Sequence, residues 1–280
     1  MVIFAPVSRR PYAVFPALLL VLTAALVSAC SSGAAAPERP PHVVRPTADA
    51  DFDYQIGGPY RPPSGVRAVA RDRGAAPARG LYNICYVNAF QAQPDALDWW
   101  RANHPDLLLR DAHDRLVIDE DWDEALLDLS TAAKRARLAK IVGAWFDGCA
   151  DAGYQAVEPD NLDSYTRSQG LLTSSDAVAF AKLLAGRAHA AGLAVGQKNT
   201  AELLSRHAAT GFDFAVAEEC ARYDECGQYA SAYDDRVFVI EYRAADFARA
   251  CRAWGARLSI VLRDLDVRPA GAKGYVRKAC

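Results

Sequence analysis

The 280-residue chain carries 32 Lys and Arg residues against 34 Asp and Glu residues, a formal net charge of −2 at pH 7. No basic patch dominates, which argues against a role that depends on nucleic-acid binding. The roughly 230 residues from position 51 onward are enough for one large domain, and α/β barrels are commonly of this size.

The N-terminus has the pattern of an export signal. Arg9 and Arg10 precede an apolar run over residues 12–27, and small residues then lead to Cys30. The pattern predicts a signal peptide over residues 1–29, whose removal changes the net charge from −2 to −4. Cys30 stands where bacterial lipoproteins carry their lipidated Cys, so we expect a lipoprotein on the outer face of the cell membrane. Ordinary secretion is the alternative, and the arginine pair leaves twin-arginine export open.

Residues 30–50 are rich in Ser, Ala, Pro and Gly, which predicts a lipidated Cys followed by a flexible tether. Residues 51–280 then form a single domain, which we expect to be a monomer. Segments rich in β-branched and aromatic residues predict eight strands in this domain. The segments begin at Phe52, Gly65, Leu81, Gly153, Leu193, Phe212, Val237 and Leu258.

Helical patterns separate the later strands. Leu138, Ile141, Trp145 and Cys149 recur at intervals of three or four and predict a helix over residues 131–151. Further helices are expected from a cap at Ser174 or Ser175 to Gly192, over residues 201–209 and over residues 244–254. Strands alternating with helices indicate a parallel sheet. Eight of them favour an α/β fold, a (β/α)8 TIM barrel, with irregular early units and a long excursion over residues 89–130.

Polar residues follow most of the predicted strands. In an α/β barrel the strands' carboxyl ends meet at one face, where active sites are built. Two carboxylates across a cleft can cleave a glycosidic bond, one as acid and the other as nucleophile or base. We therefore expect the site to be formed from Tyr54, Glu158, Asp160, Asn161, Asp163, Tyr165, Lys198, Asn199, Glu218, Glu219, Glu241, Tyr242 and Asp264.

Six cysteines remain beyond Cys30, and an even number in an exported chain predicts disulfides. Cys220 and Cys226 are close enough in sequence to pair across a small loop. For the other four cysteines we expect Cys251 with Cys280 and Cys85 with Cys149, although the sequence leaves the connectivity open. No CxxC or HxH pattern is present, so no metal site and no cofactor are expected.

The segments AVEPDNLDSY, GLAVGQKN, FDFAVAEEC, CGQY and VFVIEY occur in this order from residue 156 onward. In order and spacing they resemble glycoside hydrolase family 114, the endo-α-1,4-polygalactosaminidases, over residues 52–280. The resemblance implies a (β/α)8 barrel that hydrolyses α-1,4-linked galactosamine polymers without a metal or other cofactor. It places the catalytic pair at Asp160, as nucleophile, and Glu218, as acid/base. Asn161, Lys198, Asn199 and Glu241 match positions that line the family's cleft.

The chain departs from the family pattern at two places. It reads AFQAQP after ICYVN, where many relatives have a Gly and a Glu, and Glu219 stands where relatives often have Gln. An acidic cleft suits a polysaccharide rich in unacetylated galactosamine, because that sugar is cationic. Two alternatives remain open: a sugar-binding lipoprotein without activity, and a lyase that forms a Schiff base at Lys198.

Overall fold

The computed structural model describes residues 42–280, so Cys30 and the expected signal peptide lie outside the described residues. Twelve strands are assigned within that range. They are β1 (Phe52–Gln55), β2 (Ala68–Asp72), β3 (Tyr82–Asn88), β4 (Gln91–Ala92), β5 (Ile118–Asp119), β6 (Glu124–Leu126), β7 (Ala156–Asp160), β8 (Ala194–Lys198), β9 (Phe214–Glu218), β10 (Val237–Glu241), β11 (Ser259–Arg263) and β12 (Arg277–Ala279).

Eight of these strands form a parallel barrel in the order β1-β2-β3-β7-β8-β9-β10-β11. All eight coincide with predicted strands, which confirms the (β/α)8 fold. The last strand, β12, was not predicted and pairs antiparallel with β11. From β12, Arg277 donates a hydrogen bond of 2.8 Å to the carbonyl oxygen of Phe52 on β1. This side chain bridges the two ends of the sheet.

The barrel interior is filled because strand side chains alternate between the two faces. The inward residues of the lower layers are apolar and include Phe52, Ala70, Phe214 and Ile240. Gly196 is required among them, because a Cβ there would lie 2.6 Å from Cε2 of Phe214 on the neighbouring strand. The outward residues of the same strands pack against the helices.

Six α-helices occur in residues 42–280: α1 (Leu97–Asn103), α2 (Ala132–Ala152), α3 (Ser174–Ala190), α4 (His207–Thr210), α5 (Cys226–Ala232) and α6 (Ala244–Trp254). None of the helices in this range is long and apolar enough to cross a membrane. Helices α2, α3 and α6 fall where the sequence predicts them, whereas α1 and α5 were not predicted. No helix follows β1 or β2, which confirms the irregular early units.

Three local expectations are corrected. The buried stripe of α2 runs through Leu138, Val142, Phe146 and Cys149, and Ile141 and Trp145 lie at its margin. Helix α3 is capped by Thr173, which forms a capping box with Asp176, and not by Ser174 or Ser175. The helix expected over residues 201–209 is a 3₁₀ turn (Ala201–Arg206) followed by the single turn of α4.

The excursion after β3 contains a small antiparallel sheet in the order β4-β6-β5. Together with α1 and a 3₁₀ turn (Pro105–Leu107), this sheet lies between β3 and α2 in the chain. Many apolar side chains of the excursion, including Phe90, Leu109 and Leu126, are fully or almost fully buried in the main core. The excursion is therefore a packed part of the domain.

The last residues of the expected tether contact the barrel. Arg45 forms an ion pair of 2.9 Å with Asp213, and Ala50 is 5% exposed. The hydroxyl of Tyr82 donates a hydrogen bond of 2.7 Å to the carbonyl oxygen of Val44. Residues 44–50 therefore belong to the folded unit.

The three expected disulfides are confirmed. Their Cα–Cα separations are 6.2 Å for Cys85–Cys149, 4.9 Å for Cys220–Cys226 and 5.6 Å for Cys251–Cys280. The first ties β3 to α2, and the third ties α6 to the end of the chain. The second closes the loop that begins directly after Glu218, the last residue of β9, and Glu219.

Candidate active site

Four neighbouring strands bring their last inward-facing side chains together at the carboxyl end of the barrel. These are Asp160 on β7, Lys198 on β8, Glu218 on β9 and Tyr242 directly after β10. Each lies two residues beyond another inward-facing position, as the alternation of side chains along a strand requires. The sequence of each strand thus positions one polar group at the same face.

Lys198 lies at the centre of this group. Its Nζ is 3.1 Å from Asp160 Oδ2, 3.1 Å from Glu218 Oε2 and 3.2 Å from Glu158 Oε1. It also donates a hydrogen bond of 3.1 Å to the hydroxyl oxygen of Tyr54, whose own proton is donated to Glu158 Oε1 at 2.8 Å. Lys198 is 3% exposed and Glu158 is fully buried. One buried cation is therefore shared by three carboxylates.

The surrounding charges keep Lys198 protonated. Burial by itself lowers the pKa of a lysine, but the charges of Asp160 and Glu218 outweigh it and raise the pKa of Lys198 well above its ordinary value. Burial raises the pKa of Glu158 to about 7, although the charge of Lys198 opposes this shift. A protonated amine has no lone pair to attack a carbonyl, so this environment does not suit a Schiff base.

Glu218 is held by two neighbours besides Lys198, which make three hydrogen bonds with it. Asn199 Nδ2 donates to Glu218 Oε2 at 2.9 Å, and the backbone N–H of Glu218 donates to Asn199 Oδ1 at 2.8 Å. The hydroxyl of Tyr242 donates to Glu218 Oε1. On the opposite side, the backbone N–H of Asn161 donates to Asp160 Oδ1 at 2.7 Å. Both carboxylates are thus fixed in orientation.

The residue directly after each of β7, β8 and β9 has a left-handed backbone conformation. Asn161, Asn199 and Glu219 directly follow Asp160, Lys198 and Glu218, with φ values of 67°, 47° and 57°. Asn adopts this region more readily than most residues, whereas Glu does so at a cost of about 1–3 kcal/mol. The asparagines after β7 and β8 therefore have a backbone role in addition to their side-chain hydrogen bonds.

A cleft of about 360 Å³ opens above Lys198. Eight acidic residues and two basic ones are among those that line it. The acidic residues are Asp72, Asp119, Asp121, Glu124, Asp160, Asp163, Glu218 and Asp266, and the basic residues are Arg167 and Lys198. The cleft therefore favours a cationic ligand. A larger depression of about 630 Å³ lies between the loops after β1 and β2, but no carboxylate lines it, so we place the site at the smaller cleft.

Most of the residues expected from the sequence meet at this cleft. Asp160, Asn161, Asp163, Lys198, Asn199, Glu218 and Tyr242 line it. Tyr54 and Glu158 are fully buried and contact Lys198 from below. Asp163 is paired with Arg167, whose Nη1 lies 2.9 Å from Asp163 Oδ2.

Besides Tyr54 and Glu158, four of the expected residues are not among those that line the cleft. The hydroxyl of Tyr165 donates to Glu202 Oε1 at 2.6 Å, and Glu219 forms an ion pair of 2.9 Å with Arg222. Both pairs are formed by the loops that follow the strands.

Glu241 and Asp264 are held by backbone groups. Glu241 is fully buried, and its Oε1 accepts a hydrogen bond of 2.8 Å from the backbone N–H of Ala221. Asp264 accepts hydrogen bonds of 3.0 Å from the backbone N–H groups of Arg268 and Val276. Both carboxylates hold loops that lead away from barrel strands.

Several cleft residues were not expected from the sequence. Tyr86 and Asn88 face inward on β3, where they pair in register with Glu158 and Asp160 of β7. The alternation in ICYVN was a signal that could have identified both. Glu124, by contrast, comes from β6 in the excursion, and nothing in its local sequence indicates that it reaches the barrel.

One group of ligand-type side chains within residues 42–280 is close enough to hold a metal ion, namely Cys220, Cys226 and Glu241. The two sulfur atoms are joined in a disulfide, and a metal would need them as thiolates. This donor set therefore does not fit a metal site.

Replacing Glu241 with Gln should change how stability depends on pH. Burial raises the pKa of Glu241 from 4.5 to about 7, so between these values the folded state retains a proton that the unfolded state has lost. Stability therefore decreases as the pH rises through this window. Above pH 7 we expect the Gln variant to be more stable than wild type by about 3 kcal/mol, with no such gain at pH 4.5. Urea unfolding at both pH values tests this, and equal differences at both would contradict it.

The sequence model of glycoside-hydrolase family GH114 matches residues 33–280. The chain belongs to glycoside-hydrolase family GH114. The matched residues include every strand of the barrel and all the residues that line the acidic cleft. As a member of GH114, the chain is a glycoside hydrolase, and the facing carboxylates at the strand ends are the groups that such chemistry needs.

Solved structures show the same fold as this GH114 chain. Aspergillus fumigatus Ega3, in complex with galactosamine, has 24% sequence identity and a TM-score of 0.68, and the match covers 85% of this chain and 98% of that one. The glycoside hydrolase domain of PelA from Pseudomonas aeruginosa has 17% identity and a TM-score of 0.54, with 80% and 97% covered. No curated protein matches the chain in sequence. At these identities the structural matches support the fold.

Proposed function

We propose that the protein is an endo-glycosidase that hydrolyses α-1,4-linked galactosamine polymers, with Asp160 as nucleophile and Glu218 as general acid/base. The observation that carries the proposal is the position of these two carboxylates. They stand at the ends of β7 and β9, on either side of Lys198, and both line the cleft. The order of their roles follows the resemblance to the family.

The separation of the two carboxylates supports retention of anomeric stereochemistry. Asp160 Oδ2 and Glu218 Oε2 each lie 3.1 Å from the same nitrogen, so they are at most twice that distance, 6.2 Å, apart. Retaining enzymes hold their carboxyl groups about 5–5.5 Å apart, whereas inverting enzymes need roughly 6.5–9.5 Å to admit a water molecule. The nearest oxygens of the pair are thus closer together than the inverting range, which supports the retaining arrangement.

The reaction then proceeds in two steps. Asp160 attacks the anomeric carbon while Glu218, which must carry a proton for this step, gives that proton to the departing sugar oxygen, and a covalent glycosyl ester is left at Asp160. Glu218, now ionised beside Lys198, takes a proton from water, and the resulting hydroxide cleaves the ester. Esterification removes the charge of Asp160, so Lys198 then stabilises mainly the anions of Glu158 and Glu218.

The charge of the cleft supports galactosamine as the repeating unit. Eight acids against two bases line the cleft, and an unacetylated amino sugar carries a positive charge at neutral pH. Ega3, which shares the fold, was solved in complex with galactosamine. Product analysis on a partly deacetylated α-1,4-galactosamine polymer tests the proposal directly. Release of oligosaccharides is expected, and binding without release would instead favour a sugar-binding protein without activity.

A time-resolved NMR experiment tests the stereochemical prediction. A galactosamine oligosaccharide with α-1,4 linkages should first release the α-anomer, with the β-anomer appearing only later through mutarotation. The short carboxylate separation is the reason for this expectation. Initial release of the β-anomer would show that Asp160 does not act as a nucleophile.

We also propose that the mature chain is exported and held at the outer face of the membrane through Cys30, with residues 51–280 as its catalytic domain. Three disulfides within the described residues support export, because such bonds persist in oxidising compartments. Fatty-acid labelling that is lost on Cys30→Ala tests the anchor, and equal labelling of both forms would exclude it.

A further inference from the structure

Glu124 lies on the wall of the cleft next to Asp160 and is not explained by the mechanism above. It is carried by β6, in the excursion that follows β3, and is 8% exposed. Its Oε2 accepts hydrogen bonds from Asn88 Nδ2 at 2.7 Å and from Asn161 Nδ2 at 3.2 Å. Asn161 in turn holds Asp160 through its backbone N–H. These amides fix the Glu124 carboxylate and connect it to the nucleophile.

The second oxygen of Glu124 is free to bind a ligand. Oε1 accepts no hydrogen bond from any residue in the range 42–280, and it is not among the atoms buried away from solvent without a partner. Because Glu124 lines the cleft, this oxygen is accessible from the cleft. The carboxylate therefore presents one fixed, unused acceptor to whatever occupies the site.

Glu124 also has no counter-charge in the protein. Lys198 is paired with Glu158, Asp160 and Glu218. The other cation of the cleft, Arg167, is paired with Asp119 and Asp163. Within residues 42–280, no Lys, Arg or His forms an ion pair with Glu124.

A buried carboxylate without a partner cation is costly, and a cationic ligand would offset that cost. Burial raises the pKa of Glu124 to about 7, and the charges of Asp160 and Asp119 add to the shift. The charged groups that face it are these two acids and, beyond Asn161, the guanidinium of Arg167. A ligand ammonium group would reverse this shift by stabilising the ionised form.

We propose that Glu124 binds the ammonium group of an unacetylated amino sugar in the cleft and so determines specificity for amino over N-acetylamino units. The proposal rests on the proposed function and adds to it the residue that recognises the amine. An N-acetylated sugar has no positive charge and presents a bulkier amide at the same position. The hydrogen bonds from Asn88 and Asn161 keep the carboxylate in place before the sugar arrives, so little ordering is needed on binding.

The test measures binding in an Asp160→Asn background, where the ligand stays intact. Isothermal titration uses an α-1,4-linked galactosamine oligosaccharide and its fully N-acetylated form. Adding Glu124→Gln is expected to weaken binding of the amino form by about tenfold or more at pH 7.5, since a hydrogen bond to a charged group is lost. Binding of the acetylated form should stay within about twofold, as Gln can still accept the two amide hydrogen bonds.

The pH dependence separates recognition of charge from a structural role. With Glu124 present, the dissociation constant of the amino form should fall about tenfold or more from pH 5.5 to 7.5, because ionised Glu124 is required. With Gln it should change far less. Glu120→Gln is the matched control, since Glu120 is exposed on the turn between β5 and β6 and is not among the residues that line the cleft.

The outcomes distinguish this inference from the proposed function. Equal weakening of both oligosaccharides by Glu124→Gln, or an unchanged pH dependence, overturns the role of Glu124. Hydrolysis is measured separately with the chain that carries Asp160. If that chain binds the amino oligosaccharide with the expected pH dependence but never cleaves it, the proposed function fails while the assignment of Glu124 stands.

Discussion

Replacing Asp160 with Asn is expected to lower kcat on an α-1,4-galactosamine polymer by about 10⁴-fold or more. Asn has the same shape and can still contact Lys198 and the backbone N–H of Asn161, so the fold should be retained. It cannot form the glycosyl ester, because the amide is not a nucleophile at the anomeric carbon. Initial rates of reducing-end release, with a thermal melt to confirm folding, measure the effect.

Asp151→Asn is the matched control for this substitution. Asp151 is exposed on α2, away from the residues that line the cleft, so the Asp151→Asn variant should retain wild-type kcat.

Glu218→Gln is expected to reduce kcat by about 10²–10⁴-fold through loss of the proton donor. On an aryl α-galactosaminide, whose leaving group needs no proton donor, added azide should restore turnover to a Glu218→Ala variant with retained configuration, because azide needs no general base to attack the ester. A kcat for Asp160→Asn above about a tenth of wild type would rule out its role as nucleophile.

Replacing Lys198 with Met is expected to destabilise the protein by about 3–5 kcal/mol at pH 8. Lys198 is the cation paired with Glu158, Asp160 and Glu218, and its removal leaves these buried or half-buried carboxylates to repel one another. The loss should be smaller at pH 5, because burial already raises the pKa of Glu158 to about 7 and removing the cation raises it further. Urea unfolding at the two pH values measures the difference.

Lys182→Met is the control for Lys198→Met. Lys182 is exposed on α3, and its substitution removes the same positive charge. It should alter stability by no more than about 0.5 kcal/mol. Adding Glu158→Gln to Lys198→Met should recover part of the lost stability, since one uncompensated charge is removed. If Lys198→Met were as stable as wild type at pH 8, the ion-pair cluster would not be a stabilising feature of the barrel.

Much of the barrel follows from local sequence patterns. Strands such as VFVIEY and LSIVLRD are rich in β-branched residues, and α6 ends where Gly255 follows its apolar stripe. These features depend on neighbours in the chain, so periodicity and propensity are sufficient to detect them. The prediction of an α-helix over residues 201–209 was wrong for most of that segment, which is a 3₁₀ turn. Over so few residues, a 3₁₀ turn and an α-helical turn place the same side chains inward, so the apolar pattern does not distinguish them.

The sequence by itself determined the family, the eight strands, the presence of disulfides and the polar residues at the strand ends. Their order along the chain becomes their order around the barrel, so local patterns also determine that Asp160, Lys198 and Glu218 are neighbours. Tertiary structure alone decided which acidic side chains form ion pairs with a basic residue and which do not. Glu241 and Asp264 follow strands as Asp160 does, yet their carboxylates are held by backbone N–H groups outside the cleft. Glu124 enters the site from an excursion whose path depends on packing between distant residues. Ion pairing and burial arise from such contacts, and they leave no periodic signal in the sequence.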